Sequence, residues 1–152
     1  GLWSDAPASN LLDGAAPFYR CYRCADGRDI AIGCLEPQFF AQAIKLLGLE
    51  RRGYIQNNRT CWPAMEADFA AIFATRSRDE WGDIFAETDA CITPVLSMTE
   101  APSYPHNATR SVFVESGGII QPSPAPRMSA TPPNISEPET VEPVVALHRW
   151  LK

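Results

Sequence analysis

An acidic residue at the end of an apolar run is the side chain best suited to chemistry in this sequence. Glu36 follows the apolar run 30–35 and precedes Pro37. Because proline has a fixed φ and no N–H, it is favoured in the first turn of a helix, which predicts Glu36 at the N-cap. The helix amides and dipole are expected to hold its carboxylate. Such an acid either caps the helix or orients a catalytic base from elsewhere in an enzyme, and position alone leaves both roles open.

Cysteine and histidine side chains offer weaker candidates. The chain has five scattered cysteines, which do not resemble a disulfide framework. Cys21 and Cys24 have C-x-x-C spacing, but on a strand this separation sends the sulfurs to opposite faces, so we predict no metal site. Cys34 is interpreted as a small buried hydrophobe. His106 and His148 have no sequence neighbours typical of a base or a metal ligand, which favours exposed or structural roles.

Length and charge fit one soluble globular domain, or one domain with tails. The 152 residues carry a net charge of −5, and no stretch gathers the lysines and arginines that binding to nucleic acid phosphates requires. The apolar runs are shorter than the ~20 residues needed to cross a bilayer, and the first residues lack the features of a signal peptide. We therefore expect no nucleic acid partner, no membrane span and a cytoplasmic location.

A β-hairpin is predicted to position Glu36. Two runs rich in aromatic and β-branched residues, 18–24 and 28–35, flank the dipeptide Asp26-Gly27, which is typical of a tight hairpin turn. The helix that begins at Pro37 has apolar residues at the i, i+3, i+4, i+7 spacing of a core-facing stripe. These residues are Phe40, Ala43, Ile44 and Leu47.

Two more amphipathic helices are predicted after a turn-rich loop at 50–60. The first begins near Pro63, and the second follows a capping box formed by Ser77 and Glu80. The apolar spacing in both helices indicates core packing rather than a ligand cradle. The inward residues are Met65, Phe69, Ile72 and Phe73 in the first helix, and Trp81, Ile84 and Phe85 in the second.

The second half of the chain contributes shorter elements and a tail. Residues 90–96 indicate a short strand, whose proline belongs at a sheet edge. A polar connection at 97–110 precedes a second hairpin at about 111–121. Seven of the 14 prolines lie within 122–143, which predicts an extended segment, and 144–151 indicate a short closing helix. The predicted class is α+β: a small domain with two β-hairpins, three to four amphipathic helices and an extended proline-rich C-terminal segment.

Five segments share one family pattern in order and spacing. Leu-Asp-Gly followed by Pro-Phe-Tyr lies within 10–19, Ala-Asp-Gly-Arg at 25–28 and Glu-Pro-Gln-Phe within 35–40. The agreement continues at 89–96 and 121–127. Together these segments resemble the α-methylacyl-CoA racemases of the family III CoA-transferase superfamily. The first and third segments are similar to the racemase branch more than to the transferases.

The resemblance implies a chain that matches only the later part of a longer polypeptide. Residues 1–13 would be the remnant of an interdomain linker, and 14–152 the small domain. A large domain, absent here, would bind the CoA and carry the catalytic histidine and aspartate. Family members are interlocked homodimers with active sites between the large domain of one subunit and the small domain of the other. The isolated chain is therefore expected to be inactive.

The resemblance also implies the reaction and the residues that serve it. An isomerase of this kind, in fatty acid metabolism, moves the α-proton of a 2-methyl-branched acyl-CoA without a metal or a cofactor, since CoA is part of the substrate. Glu36 matches the glutamate that pairs with the catalytic histidine. Leu12, Tyr19 and Leu35 match positions on the acyl-chain side of the pocket. A CoA-transferase small domain and a non-catalytic interaction or dimerisation module remain as alternatives.

Overall fold

The computed structural model describes residues 3–135 and 140–151. Two compact units meet in sequence after Val95, and each contains an antiparallel sheet accompanied by helices. This arrangement confirms the predicted α+β class. No helix among the described residues has the length and apolar character that crossing a membrane requires.

A three-stranded antiparallel sheet forms the base of the first unit. Strand β1 (Tyr19–Arg23) pairs with β2 (Asp29–Gly33), which also pairs with β3 (Ile92–Pro94). Gly27 adopts φ +75° in the turn between β1 and β2, a conformation that an L side chain rarely accepts. The predicted first hairpin and the short edge strand with its proline are both confirmed.

Three α-helices accompany the sheet of the first unit, together with two short 3-10 helices at Glu50–Arg52 and Arg59–Cys61. The α-helices are α1 (Pro37–Leu46), α2 (Trp62–Phe73) and α3 (Arg78–Phe85). At the start of α3, the Ser77 hydroxyl accepts a hydrogen bond from the Glu80 N–H at 3.3 Å, and the Glu80 carboxylate accepts one from the Ser77 N–H at 2.8 Å. The three predicted helices and the capping box are confirmed.

Aromatic rings between the sheet and the helices form the centre of this unit. The Tyr22 ring from β1 lies 5.9 Å from Phe69 and 5.3 Å from Phe73, and Phe73 lies 5.4 Å from Trp81. The Tyr22 hydroxyl donates to the Pro17 carbonyl at 2.7 Å, and burial raises the pKa of Tyr22. The buried phenol therefore stays neutral and hydrogen-bonded.

The inward face of α3 is narrower than predicted. Trp81 and Phe85 are buried, whereas Ile84 is 36% exposed. An eight-residue helix has little more than two turns, and in α3 the stripe that meets the core is only one residue wide at each turn. The prediction of an inward Ile84 is therefore wrong.

The second unit is built from shorter elements. It comprises α4 (Pro105–Thr109), the antiparallel pair β4 (Phe113–Ser116) and β5 (Ile119–Pro122), and α5 (Pro143–Trp150). The second hairpin and the closing helix are confirmed. The prediction that 97–110 is only a connection is wrong, because the proline that opens α4 has no N–H to satisfy and favours a helix start.

The proline-rich segment separates the second hairpin from the closing helix. Residues 123–135 and 140–142 form no helix or strand. The two ends of the predicted segment, Pro122 and Pro143, belong to β5 and α5, and residues 136–139 lie outside the described residues.

We expect Phe69→Ala to lower the free energy of unfolding by about 3–5 kcal/mol, because Phe69 is fully buried and its removal leaves a cavity among aromatic rings. Ile55→Ala is the control, since Ile55 is 66% exposed and its truncation should change the free energy by no more than about 0.5 kcal/mol. Urea denaturation followed by circular dichroism measures both values. Equal losses in the two variants would contradict this core.

Candidate active site

Glu36 lies where the hairpin passes into α1. Its backbone is extended, with φ −77° and ψ 141°, and Pro37 occupies the first turn of the helix. The Glu36 carbonyl accepts hydrogen bonds from the N–H groups of Phe39 at 3.1 Å and Phe40 at 3.0 Å. Glu36 is therefore the N-cap residue, as its position before a proline predicts.

The Glu36 carboxylate, however, makes no side-chain capping bond. The expectation that helix amides hold it is wrong. Pro37 offers no N–H, and the shorter side chains of Ser, Thr, Asp and Asn are the ones that fold back onto the first turn. Within the part of the chain that the structure describes, the exposed carboxylate has no hydrogen bond or ion pair. It is available to a cation or donor supplied from outside this unit.

Gln56 holds the backbone just before Glu36. Its buried side-chain amide donates to the carbonyls of Cys34 at 3.0 Å and Leu35 at 2.9 Å. The Trp62 indole donates to the Gln56 carbonyl at 2.8 Å, which joins this loop to α2. Gln56 belongs to the segment that the sequence predicts as a turn-rich loop, and no local sequence signal distinguishes it from an exposed glutamine.

Two cysteine side chains lie near Glu36 with different exposure. Cys34 is fully buried, its thiol faces the Phe18 carbonyl, and burial, more than nearby charge, raises its pKa to about 12. Cys91 is exposed, and its pKa is raised by desolvation and then by the charges of Glu36 and Asp89. Both thiols therefore stay protonated near neutral pH. The interpretation of Cys34 as a small buried hydrophobe is confirmed.

The three predicted acyl-chain residues occupy two places. Tyr19 is half-buried at the start of β1 and stands opposite Gly33 in the strand register. Leu35 is half-buried beside Glu36 and packs against the core. The strand pairing therefore brings Tyr19 to the junction that carries Leu35 and Glu36. Leu12 lies in a separate loop before β1 and is 58% exposed.

Asn10 organises the loop that carries Leu12. Its buried amide nitrogen donates to the Ser4 carbonyl at 2.8 Å and to the Asp13 carboxylate at 2.7 Å. Although burial acts to raise the pKa of Asp13, hydrogen bonds from Asn10 and Ser9 outweigh it and lower that pKa. This ordered turn is not predicted from the sequence, although an Asn and an Asp three residues apart can indicate one.

The remaining reactive side chains belong to other elements of the chain. Cys21 is exposed and Cys24 is buried, so the two sulfurs of the C-x-x-C spacing lie in different environments. His106 is in α4 and His148 is in α5, both in the second unit. Among the described residues, no group of His, Cys, Asp and Glu side chains is arranged to hold a metal ion.

Comparison with known proteins identifies the family of the chain. The model of CoA-transferase family III matches residues 4–143, which is most of the sequence. This chain belongs to CoA-transferase family III. The family match covers the Glu36 junction and the aromatic core of the first unit, and it extends through both hairpins.

Curated relatives are similar to this chain over part of their length. The alpha-methylacyl-CoA racemase of Mus musculus is 46% identical over 134 residues, and that of Homo sapiens is 43% identical over 134 residues. A CaiB/baiF CoA-transferase family protein of Caenorhabditis elegans is 31% identical over 118 residues. These alignments cover 87%, 86% and 78% of this chain. The chain spans about a third of the curated relatives' length, or 35%, 35% and 34% in the same order.

Solved structures support the fold. The crystal structure of Rv3272 from M. tuberculosis in an orthorhombic form aligns with a TM-score of 0.62 at 17% sequence identity, covering 78% of this chain and 34% of that one. A second Rv3272 structure aligns with a TM-score of 0.64 at 17% identity, covering 79% and 35%. At this level of identity the likeness concerns the fold alone.

We expect Gln56→Leu to lower the free energy of unfolding by about 1–3 kcal/mol, because it leaves the buried Cys34 carbonyl and the part-buried Leu35 carbonyl without their donor. Gln38→Leu, in the exposed first turn of α1, makes the same chemical change and should have an effect of no more than about 0.5 kcal/mol. Denaturant titration of both variants measures the difference. If Gln56→Leu were as stable as Gln38→Leu, Gln56 would not be what holds the junction.

Proposed function

We propose that this chain is the small domain of a 2-methylacyl-CoA racemase, and that it completes an active site whose other half lies in a large CoA-binding domain. The observation that carries the proposal is the exposed, unpaired Glu36 carboxylate on a backbone held by buried hydrogen bonds. The 46% identity to a protein named alpha-methylacyl-CoA racemase supports the choice of reaction.

The reaction is a 1,1-proton transfer at the α-carbon of the thioester. A base on one face removes the α-proton, the electron pair moves toward the thioester oxygen to give an enolate, and an acid on the other face returns a proton to carbon. The resemblance to the α-methylacyl-CoA racemases implies that these groups are a histidine and an aspartate of the large domain. The reaction exchanges only protons, so its electron balance requires no redox cofactor.

Glu36 acts in this scheme through the histidine. A carboxylate that accepts a hydrogen bond from one imidazole nitrogen fixes the ring orientation and leaves the other nitrogen facing the substrate. Its negative charge also stabilises the imidazolium that forms when the histidine takes the proton. Glu36 is thus a positioning residue, and its lack of a partner within the first unit is what this role requires.

Apolar side chains near the junction would form one wall of the acyl pocket. Leu35 directly precedes Glu36, Tyr19 stands opposite Gly33, and Leu12 is exposed in the loop that Asn10 organises. The transfer of apolar surface from water to such a wall favours binding of a branched acyl chain. We further propose that the full-length protein is a homodimer in which this wall faces the large domain of the partner, and that it acts in cytoplasmic fatty acid metabolism.

CoA transfer between carboxylic acids is the second candidate function. The family name and the 31% identity to the C. elegans CoA-transferase family protein favour it. A transferase moves CoA to an acceptor acid, whereas a racemase leaves the acyl-CoA intact. Isotope-labelled acceptor acid appearing in acyl-CoA would identify transfer, and deuterium appearing at the α-carbon would identify racemisation. An interaction module without activity would give neither result.

In the full-length protein, we expect Glu36→Gln to slow α-proton exchange roughly 10- to 100-fold, because the neutral amide neither orients nor stabilises the protonated histidine. Loss of the negative charge lowers the histidine pKa, so the acid limb of the kcat/KM profile should move to lower pH. Exchange of the α-proton in deuterated water, followed by NMR for each enantiomer, measures both effects.

Glu87→Gln is the matched control for this experiment, since Glu87 is another exposed glutamate of the same unit. It should leave both the rate and the pH profile unchanged. Unchanged exchange at both faces of the substrate in Glu36→Gln would eliminate the proposed role of this carboxylate.

The purified 152-residue chain alone should not catalyse α-proton exchange, because the proposed acid and base both lie in the large domain. Incubation of the chain with a 2-methyl-branched acyl-CoA in deuterated water tests this expectation, and the full-length protein is the positive control. Deuterium incorporation by the isolated chain, at a rate comparable to the full-length protein, would place the acid and base among the residues of this chain instead.

A further inference from the structure

The outer face of the three-stranded sheet has uncharged side chains at the end nearest Glu36. Burial alternates along β2, and in β1 the buried Tyr22 lies between the exposed Cys21 and Arg23. Successive side chains of a strand point to opposite faces, so Tyr19, Cys21 and Arg23 share the outward face with Asp29, Ala31 and Gly33. The one ion pair of outward residues on this sheet, Arg23 with Asp29, lies at the far, hairpin end of the described strands. The residues on the uncharged part are Tyr19, Cys21, Ala31, Gly33 and Thr93, and the Cys91 carbonyl lies beside Gly33.

Gly33 lies in the middle of this uncharged part, at a position where the fold does not require a glycine. It is opposite Tyr19 in the register, and its N–H donates to the Cys91 carbonyl at 2.9 Å, so it is flanked on both sides. Its φ is not positive. The three atoms nearest to a Cβ added there would be the Cys91 carbonyl oxygen and one Tyr19 ring atom at 3.9 Å and a second ring atom at 4.0 Å, all at ordinary contact distance. Neither backbone conformation nor packing within the described unit therefore requires a glycine.

Glycine in a strand nevertheless has a cost. It destabilises a regular element by about 0.5–1 kcal/mol relative to alanine, because more backbone entropy is lost on folding. A strand glycine that the fold does not require is typical of a place where a ligand or another backbone approaches closely. The feature that Gly33 accommodates must then lie outside the described unit, above the outer face of the sheet.

Cys91, on the other side of Gly33, also departs from its local preference. It has φ +52°, a left-handed conformation that costs a residue with a Cβ of the order of 1–3 kcal/mol. Strained residues of this kind concentrate at ligand sites, where surrounding contacts hold them in place. The exposed Cys91 thiol is uncharged near neutral pH, in part because of the nearby Glu36 carboxylate. What borders Gly33 on this side is the Cys91 carbonyl, which accepts the Gly33 N–H and would lie 3.9 Å from a Cβ added at Gly33.

We propose that the space above Gly33, between the Tyr19 ring and Cys91, receives the α-branched end of the acyl group, and that Gly33 is a specificity-determining residue for the size of the α-substituent. The inference rests on the racemase function proposed above. Three features favour a substrate over a protein backbone: the face is uncharged at this end, Tyr19 is at its edge, and Glu36 follows Gly33 by three residues. A bulky side chain at position 33 would fill the space beside the reacting carbon.

The test compares Gly33→Ala, Gly33→Val and the control Gly82→Ala in the full-length enzyme. Gly82 lies in α3, where an added Cβ would meet Pro94 at 3.7 Å. Gly82→Ala therefore adds the same methyl group at a similar contact distance, away from the outer face of the sheet. We expect Gly33→Val to reduce kcat/KM for a 2-methyl-branched acyl-CoA by at least about tenfold, mainly through KM. Exchange on a straight-chain acyl-CoA should fall less, Gly33→Ala should be intermediate, and Gly82→Ala should match the wild type.

Each result decides between this inference and the proposed function. An active wild-type enzyme with unchanged KM in both Gly33 variants would overturn the inference and leave the racemase function standing. Absence of exchange in the wild-type protein would overturn the racemase function and the inference with it. If the Gly33 variants instead lower the thermal midpoint or break the dimer, while the remaining enzyme keeps its KM for both substrates, the glycine serves a protein contact and the inference is wrong.

Discussion

The hydrogen bonds from the Gln56 amide to two successive carbonyls are the constraint on which the candidate site depends. Cys34 and Leu35 lie after the last residue of β2 and before the first turn of α1, so neither the strand ladder nor the helix provides for their carbonyls. One buried amide donates to both, and the Trp62 indole fixes the loop that supplies it. Since unpaired buried carbonyls are costly, this junction has few alternative conformations. The Glu36 carboxylate therefore projects from a backbone that the Gln56 hydrogen bonds hold in place.

The same junction explains how an acid can be both well placed and unpaired. Glu36 caps α1 through its carbonyl, which satisfies the backbone, while the side chain remains exposed to solvent. An exposed carboxylate keeps its hydration and needs no partner for the fold to be stable. Pairing with a group from another domain would then add an interaction without breaking one inside this unit. A side chain bound to the helix amides would have to give up those bonds first.

Signals that act over a few residues made much of this structure predictable. The Asp-Gly dipeptide of the first hairpin, the proline at the start of α1 and the Ser77–Glu80 capping box each specify a conformation within about four residues. Gln56 is different, because it acts on carbonyls 21 and 22 residues away and only folding brings them together. Sequence position predicted that Glu36 is the N-cap of α1. Whether its carboxylate bonds the helix amides depends on side-chain geometry, which local sequence signals do not specify.

Departures from local rules carry information that the rules themselves lack. Gly33 ends β2 and is hydrogen-bonded to Cys91, which directly precedes β3. A strand glycine and a left-handed cysteine each cost the fold free energy. Natural sequences keep such costs mainly where function requires them. In the proposed racemisation, the α-carbon of the acyl group must be held closely, and no side chain can stand between it and the acid or base on either face. The combination of a bare strand position with a fixed, unpaired carboxylate three residues later meets that requirement, and neither feature is explained by the stability of this unit alone.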